Sequence, residues 1–147
     1  MLDPLEQWIC DTCGEVIDGK ENGYTIWKQD DDRRLHSFKI VHHPDCLQDD
    51  HLLSTSLARM TGMLGMTKLL SYLSLGPYHN GEGGERKPRD FDEFVDFFRR
   101  LQVPYYEEAR LYYDQEEALH MMGGANEYAP YLPRKMRRLI EKVGSEY

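Results

Sequence analysis

The sequence predicts an α+β protein in which a short strand-bearing N-terminal unit precedes a mainly α-helical region of about four helices. Three observations carry the prediction. Cysteine and histidine occur as two spaced pairs, Cys10-x-x-Cys13 and His43-x-x-Cys46, with 29 residues between them. Between the pairs lie two strand-like runs separated by a polar turn. Beyond residue 53 the apolar residues recur at close to helical spacing instead.

The spaced pairs predict one tetrahedral zinc site. Zinc prefers four soft or borderline ligands, and three thiolates with one imidazole form a common structural set. Gaps of two residues let a tight turn, or the first turn of a helix, aim both ligands inward. The predicted metal ligands are Cys10, Cys13, His43 and Cys46, which use all three cysteines of the chain. His42 adjoins His43 and can supply the fourth ligand instead; the i, i+3 spacing of His43 with Cys46 favours His43. A redox reading of Cys10-Asp11-Thr12-Cys13 needs a helix opening at the first cysteine and leaves Cys46 and His43 unexplained. Gly14, directly after the second cysteine, suits a knuckle whose backbone turns back toward the sulfurs.

Between the pairs, Gly23-Tyr24-Thr25-Ile26-Trp27-Lys28 reads as a strand, Asp30 to Arg34 as a polar turn, and Leu35 to Val41 as the returning strand. After Cys46, residues 47–53 read as a helix with Pro44 near its start and Asp45 in its first turn. The order knuckle, hairpin, helix resembles a treble-clef zinc finger, and the C-x2-C…H-x2-C pattern is similar to the first half of a LIM-type module. The resemblance covers about residues 8–53 and implies Cys10, Cys13, His43 and Cys46 as ligands of a structural Zn2+. No second set of cysteines follows Cys46, so a complete LIM domain is excluded.

The chain of 147 residues is long enough to bury a core, and 40% of its residues are apolar. It divides into a zinc-binding unit over 1–53 and a helical region over 54–147, with a glycine-rich loop over 76–89. No basic-then-apolar leader and no run of about 18 apolar residues occurs. A soluble, cytoplasmic protein without a membrane partner is expected, in a compartment reducing enough for thiolate ligands.

Charge is uneven. Residues 1–53 hold 12 acidic and 5 basic side chains, net −7, within a total of −8. Phosphate neutralisation needs clustered cations, so an acidic finger is a poor nucleic-acid surface. The one dense basic stretch is Arg134-Lys135-Met136-Arg137-Arg138. On a helix its apolar stripe is Met136, Leu139, Ile140 and Val143, and the cations take the other face as a solvated surface or a phosphate-binding patch.

In the helical region, Ser54 to Leu75 carries Leu57, Met60, Leu64, Leu70 and Leu73 near helical spacing. Gly62 and Gly65 mark either a break or a close approach. Asp90 is placed to cap a helix with Glu93 reaching back, and Phe91, Phe94, Val95, Phe98 and Leu101 share a face. Val103-Pro104 ends that helix and opens another through Tyr105, Tyr106, Ala109, Tyr112 and Tyr113 to Gly123-Gly124. A helix-turn-helix reading of this pair is opposed by Glu107 and Glu108 early in the second helix.

Six of the ten tyrosines lie between 105 and 131, and tyrosine is enriched where proteins meet partners. The favoured function is therefore a non-enzymatic zinc-binding protein. It would act as a protein-interaction or regulatory module, with a protein partner or self-association through the Tyr/Phe-rich helices. The alternatives are a nucleic-acid-binding regulator using the basic C-terminal helix and a ββα-metal-type nuclease centred on His42. Four strong ligands would close a zinc shell and leave no catalytic position. No nucleophile elbow or zincin helix occurs.

Overall fold

Two small antiparallel sheets and five α-helices make up residues 1–47, 53–78 and 87–144, which the computed structural model describes. β1 (Gln7–Ile9) and β2 (Val16–Asp18) pair with Trp8 opposite Ile17, and the Cys10–Cys13 segment forms the loop between them. Gly14 closes that loop at φ 78°, donating its N–H to Cys10 O at 2.9 Å. The left-handed backbone is the reason for a glycine there.

The hairpin follows the sequence reading within a residue. β3 is Gly23–Gln29 and β4 is Leu35–His42. Its turn is fixed by Asp30, whose Oδ1 accepts the N–H groups of Asp32 and Arg34 at 3.0 and 2.8 Å. A third strand, β5 (Leu53–Ser56), pairs antiparallel with β3, giving the order β4-β3-β5. The helix expected over 47–53 is not seen at either end. Leu47 has no regular structure and Leu53 opens β5, because Leu53 and Thr55 pair with β3; residues 48–52 lie outside the described residues.

After β5, a 3-10 turn over Leu57–Met60 leads into α1 (Gly62–Ser71). The single pattern expected from Ser54 is broken at Gly62, which takes φ 64°. Gly65 serves the other role: a Cβ there would stand 2.1 Å from the Met60 carbonyl carbon. Packing takes Leu57, Met60 and Leu69, whereas Leu64 and Leu70 of the expected stripe are about half exposed.

α2 (Phe91–Gln102) starts where expected, Asp90 accepting the Glu93 N–H at 3.1 Å. Glu93 does not reach back; its carboxylate accepts the Phe38 N–H of β4. Phe94, Phe97 and Leu101 are buried, and Phe91 is exposed.

The long helix expected from Tyr105 is instead two short ones, α3 (Tyr106–Ala109) and α4 (Glu116–Met122). Tyr105 sits at φ 73°, and i→i+3 bonds from Tyr112 to Ala109 and from Gln115 to Tyr112 tighten the chain between them. Glu107 and Glu108 are buried, so no exposed recognition helix exists in this segment. α5 (Pro133–Val143) buries Met136, Leu139 and Ile140 as its periodicity predicts, with Arg134, Arg137 and Arg138 outside.

Two hydrophobic clusters result. The larger joins Trp8, Ile17, Ile26 and Ile40 from the strands to Leu69, Phe94, Phe97 and Leu101 from α1 and α2. The smaller packs Tyr106 and Tyr112 with Ala118 of α4 and Met136, Leu139 and Ile140 of α5. Among the described residues no helix is long and apolar enough to cross a membrane.

Gly65→Ala tests the tight approach. Alanine normally favours a helix interior, but here the Met60 backbone must move, so urea titration should give a loss of about 1–3 kcal/mol.

Candidate metal centre

The candidate ligands come from three separate segments. The knuckle between β1 and β2 supplies Cys10 and Cys13, the last residue of β4 supplies His42, and a turn over 43–46 returns Cys46, whose N–H reaches His42 O at 3.3 Å. The side-chain ligand atoms of Cys10, Cys13, His42 and Cys46 all lie within 4.8 Å of one another. His42 Nδ1 is 3.3 Å from Cys13 Sγ and 3.9 Å from Cys46 Sγ. Around a tetrahedral ion bonded at about 2.3 Å to sulfur and 2.0 Å to nitrogen, neighbouring ligand atoms sit roughly 3.5–3.8 Å apart. The two distances from His42 Nδ1 stand near that spacing.

The histidine is the neighbour of the one favoured from spacing. β4 extends one residue further than expected and includes His42, and the pleat sends adjacent side chains to opposite faces. His42 therefore faces the cysteines, while the exposed His43 ring lies tilted against Tyr24 with centroids 4.3 Å apart. The i, i+3 argument for His43 presumed a helix, and residues 43–46 form a turn.

The tautomer of His42 follows from its other nitrogen. Nε2–H donates to Val16 O at 3.0 Å, which leaves the Nδ1 lone pair directed at the sulfurs. Burial opposes ionisation of Cys10, yet the N–H groups of Cys13, His42 and Thr12, with the His42 ring, hold its thiol down at about 6. Cys46 is pushed up to about 11, first by burial and then by the neighbouring Cys10 and Cys13 sulfurs. For His42, burial disfavours the cation, but Cys10, Val16 O and Asp45 together raise its basicity. Three sulfurs crowded so that the last resists ionisation are stabilised together by a divalent cation. These residues could hold a metal ion.

Residues that the sequence reading did not single out anchor the knuckle to the helices. Asp11, between the two cysteines, exchanges bonds with β4: its N–H donates to Ile40 O at 2.9 Å and its Oδ2 accepts the Ile40 N–H at 2.8 Å. The same Oδ2 accepts from Arg100 Nη1 at 2.7 Å. Arg100, on α2 and only 3% exposed, also donates Nε to Glu107 Oε2 at 2.7 Å and Nη2 to Glu107 Oε1 at 2.8 Å. Nη2 further reaches Ile9 O at 3.2 Å, while Ile9 N–H donates to Glu107 Oε1 at 3.1 Å. Burial opposes the guanidinium charge, and Glu107 and Asp11 more than offset it, so Arg100 stays protonated. The sole sequence signal was an arginine about 60° round the helix from Phe97.

No protein-family model, curated protein or solved structure matches the chain.

The ligand assignment separates adjacent residues. His42→Ala should abolish stoichiometric metal binding, whereas His43→Ala should retain it, as read by metal content after dialysis. For the anchor, Arg100→Met leaves Glu107 and Asp11 without their cation. Urea unfolding should show a loss of about 3–5 kcal/mol, part of which returns when Glu107→Leu is added.

Proposed function

We propose that the chain is a non-enzymatic zinc protein whose Zn2+ is structural and whose remaining surface serves protein recognition or regulation. The observation that carries the reading is the convergence of the ligand atoms of Cys10, Cys13, His42 and Cys46 to within 4.8 Å of one another. A Cys3His set with no carboxylate in the cluster among the described residues suits a closed structural shell better than an open catalytic one. The knuckle followed by a hairpin is also what a treble-clef finger would contribute, with His42 replacing His43 in the pattern. Three free thiols fit a reducing, intracellular setting, and the proposed compartment is the cytoplasm.

The nuclease alternative loses its base in this arrangement, because both His42 nitrogens are committed, one to Val16 O and one toward the sulfurs. The nucleic-acid alternative is weakened by ion pairs on the basic helix and its neighbour, Arg137 with Glu141 at 3.0 Å and Lys142 with Glu117 at 2.5 Å. For protein recognition, the tyrosines divide. Tyr106 and Tyr112 are buried, while Phe91 and Tyr128 are exposed and remain candidates for contact. Tyr106 donates to Asp96 at 2.5 Å, and Arg99 stacks 3.5 Å above the Tyr131 ring. These tyrosines therefore organise the helices behind any contact surface.

Native mass spectrometry of the purified chain tests the reading. One zinc per chain, retained against a mild chelator, is expected. A metal-free chain, or a second weakly held ion, would contradict a closed structural site.

A further inference from the structure

The two edges of the three-stranded sheet are treated differently. Along β4 the outer edge is bonded at Leu35, Phe38 and Ile40. Leu35 bonds to the Lys87 carbonyl and the Arg89 N–H at 2.9 and 2.8 Å, Phe38 N–H goes to Glu93, and Ile40 is taken by Asp11. Sealing of this kind prevents unwanted strand pairing. Along β5 none of these devices occurs among the described residues.

The groups that β5 presents follow from register. Ile40 turns its N–H and C=O outward to Asp11, so its partner Thr25 turns both toward β5. Thr25 is paired with Thr55, whose backbone therefore faces inward; its carbonyl also accepts the Thr25 hydroxyl at 3.2 Å. Ser54 and Ser56 must then direct theirs to the free edge. Ser56 O lies at the start of the 3-10 turn, which, among the described residues, leaves the N–H and C=O of Ser54 and the N–H of Ser56 for a new strand.

Beside this edge is a cleft of about 410 Å3 lined by Tyr24, Ser54, Thr55, Ser56 and Arg59. Its side chains offer a guanidinium and four hydroxyls, and no Asp or Glu among the described residues lines it, in a chain of net charge −8. Arg59 is exposed and has no ion-pair partner among the described residues. The Ser56 hydroxyl stands at a capping position but makes no capping bond. A lone guanidinium fork matches one carboxylate in a bidentate pair, whereas phosphate recognition goes with clustered arginines.

We infer that the free edge of β5 docks an extended segment of a partner protein, which adds as a fourth strand and places a Glu or Asp carboxylate on Arg59. The inference rests on the protein-recognition reading above and names the partner's chemistry. Main-chain bonds to Ser54 and Ser56 supply general affinity, and the carboxylate in the cleft supplies selection.

The probe is a terminally capped seven-residue peptide of alternating Thr and Val with a central Glu, titrated into the metal-loaded full chain. Amide shifts are followed by NMR and affinity by fluorescence anisotropy. Shifts centred on residues 53–59 are expected. The Gln analogue should bind about tenfold more weakly, the factor of one charge-assisted pair. Arg59→Gln should bring the Glu peptide to the level of its Gln analogue. N-methylation flanking the Glu should abolish binding. No binding, equal binding of the Glu and Gln peptides, or indifference to Arg59→Gln would overturn the inference. So would equal affinity for glutarate alone, which would make the cleft a small-anion site, or concentration-dependent shifts at 53–59 without peptide, which would give the edge to a second copy. Peptide binding mapped to Phe91 or Tyr128 would overturn the β5 assignment while leaving the recognition reading intact.

Discussion

The buried guanidinium of Arg100 is the constraint on which the arrangement depends. A charge removed from water at this depth is costly unless its donors are met. Here Nε, Nη1 and Nη2 are answered by Glu107, Asp11 and the Ile9 carbonyl. The acceptors come from three places: the strand before the knuckle, the knuckle itself, and α3. One side chain therefore fixes the position of β1 and the Cys10–Cys13 loop against α2 and α3. The Arg100 carbonyl adds to this by accepting the indole N–H of Trp8 at 2.9 Å.

Asp11 is where the helical anchor and the candidate metal centre meet. Its neighbours in sequence are Cys10 and Thr12, and the Thr12 N–H points at Cys10 Sγ at 3.4 Å. Its carboxylate holds both Arg100 and the Ile40 N–H, two residues before His42 on β4. The distance between the knuckle cysteines and the β4 histidine is thus set by a polar link that also reaches α2. Cys10 itself belongs to the larger hydrophobic cluster. A metal held there would couple to the packing of the helices as well as to the loops that carry its ligands.

How much of this was legible varies with the range of the interactions. The hairpin was readable because its turn is local, with Asp30 bonding residues two and four ahead. The Asp90 cap and the α5 stripe were readable for the same reason. The three cysteines announced the site, but the histidine was chosen on helical spacing where the strand pleat decides. β5 was missed because Leu53–Ser56 gains its identity from β3. The single helix expected from Tyr105 gave way to two where i→i+3 bonds tighten the chain at Tyr112 and Gln115, and within α3 Glu107 and Glu108 are drawn inward, Glu107 to Arg100 and Glu108 to the Leu2 N–H. Those residue types are ordinarily exposed, and nothing local marks them as buried.

The claim that the candidate metal centre and the helical core act as one unit is tested most directly by hydrogen exchange of the full chain with and without added zinc. The account predicts that chelation removes protection from β1, β2 and the end of β4, and also from the backbone around Arg100 and α3, through Asp11. Changes confined to the loops at 10–14 and 42–47, with α2 and α3 unaffected, would contradict it.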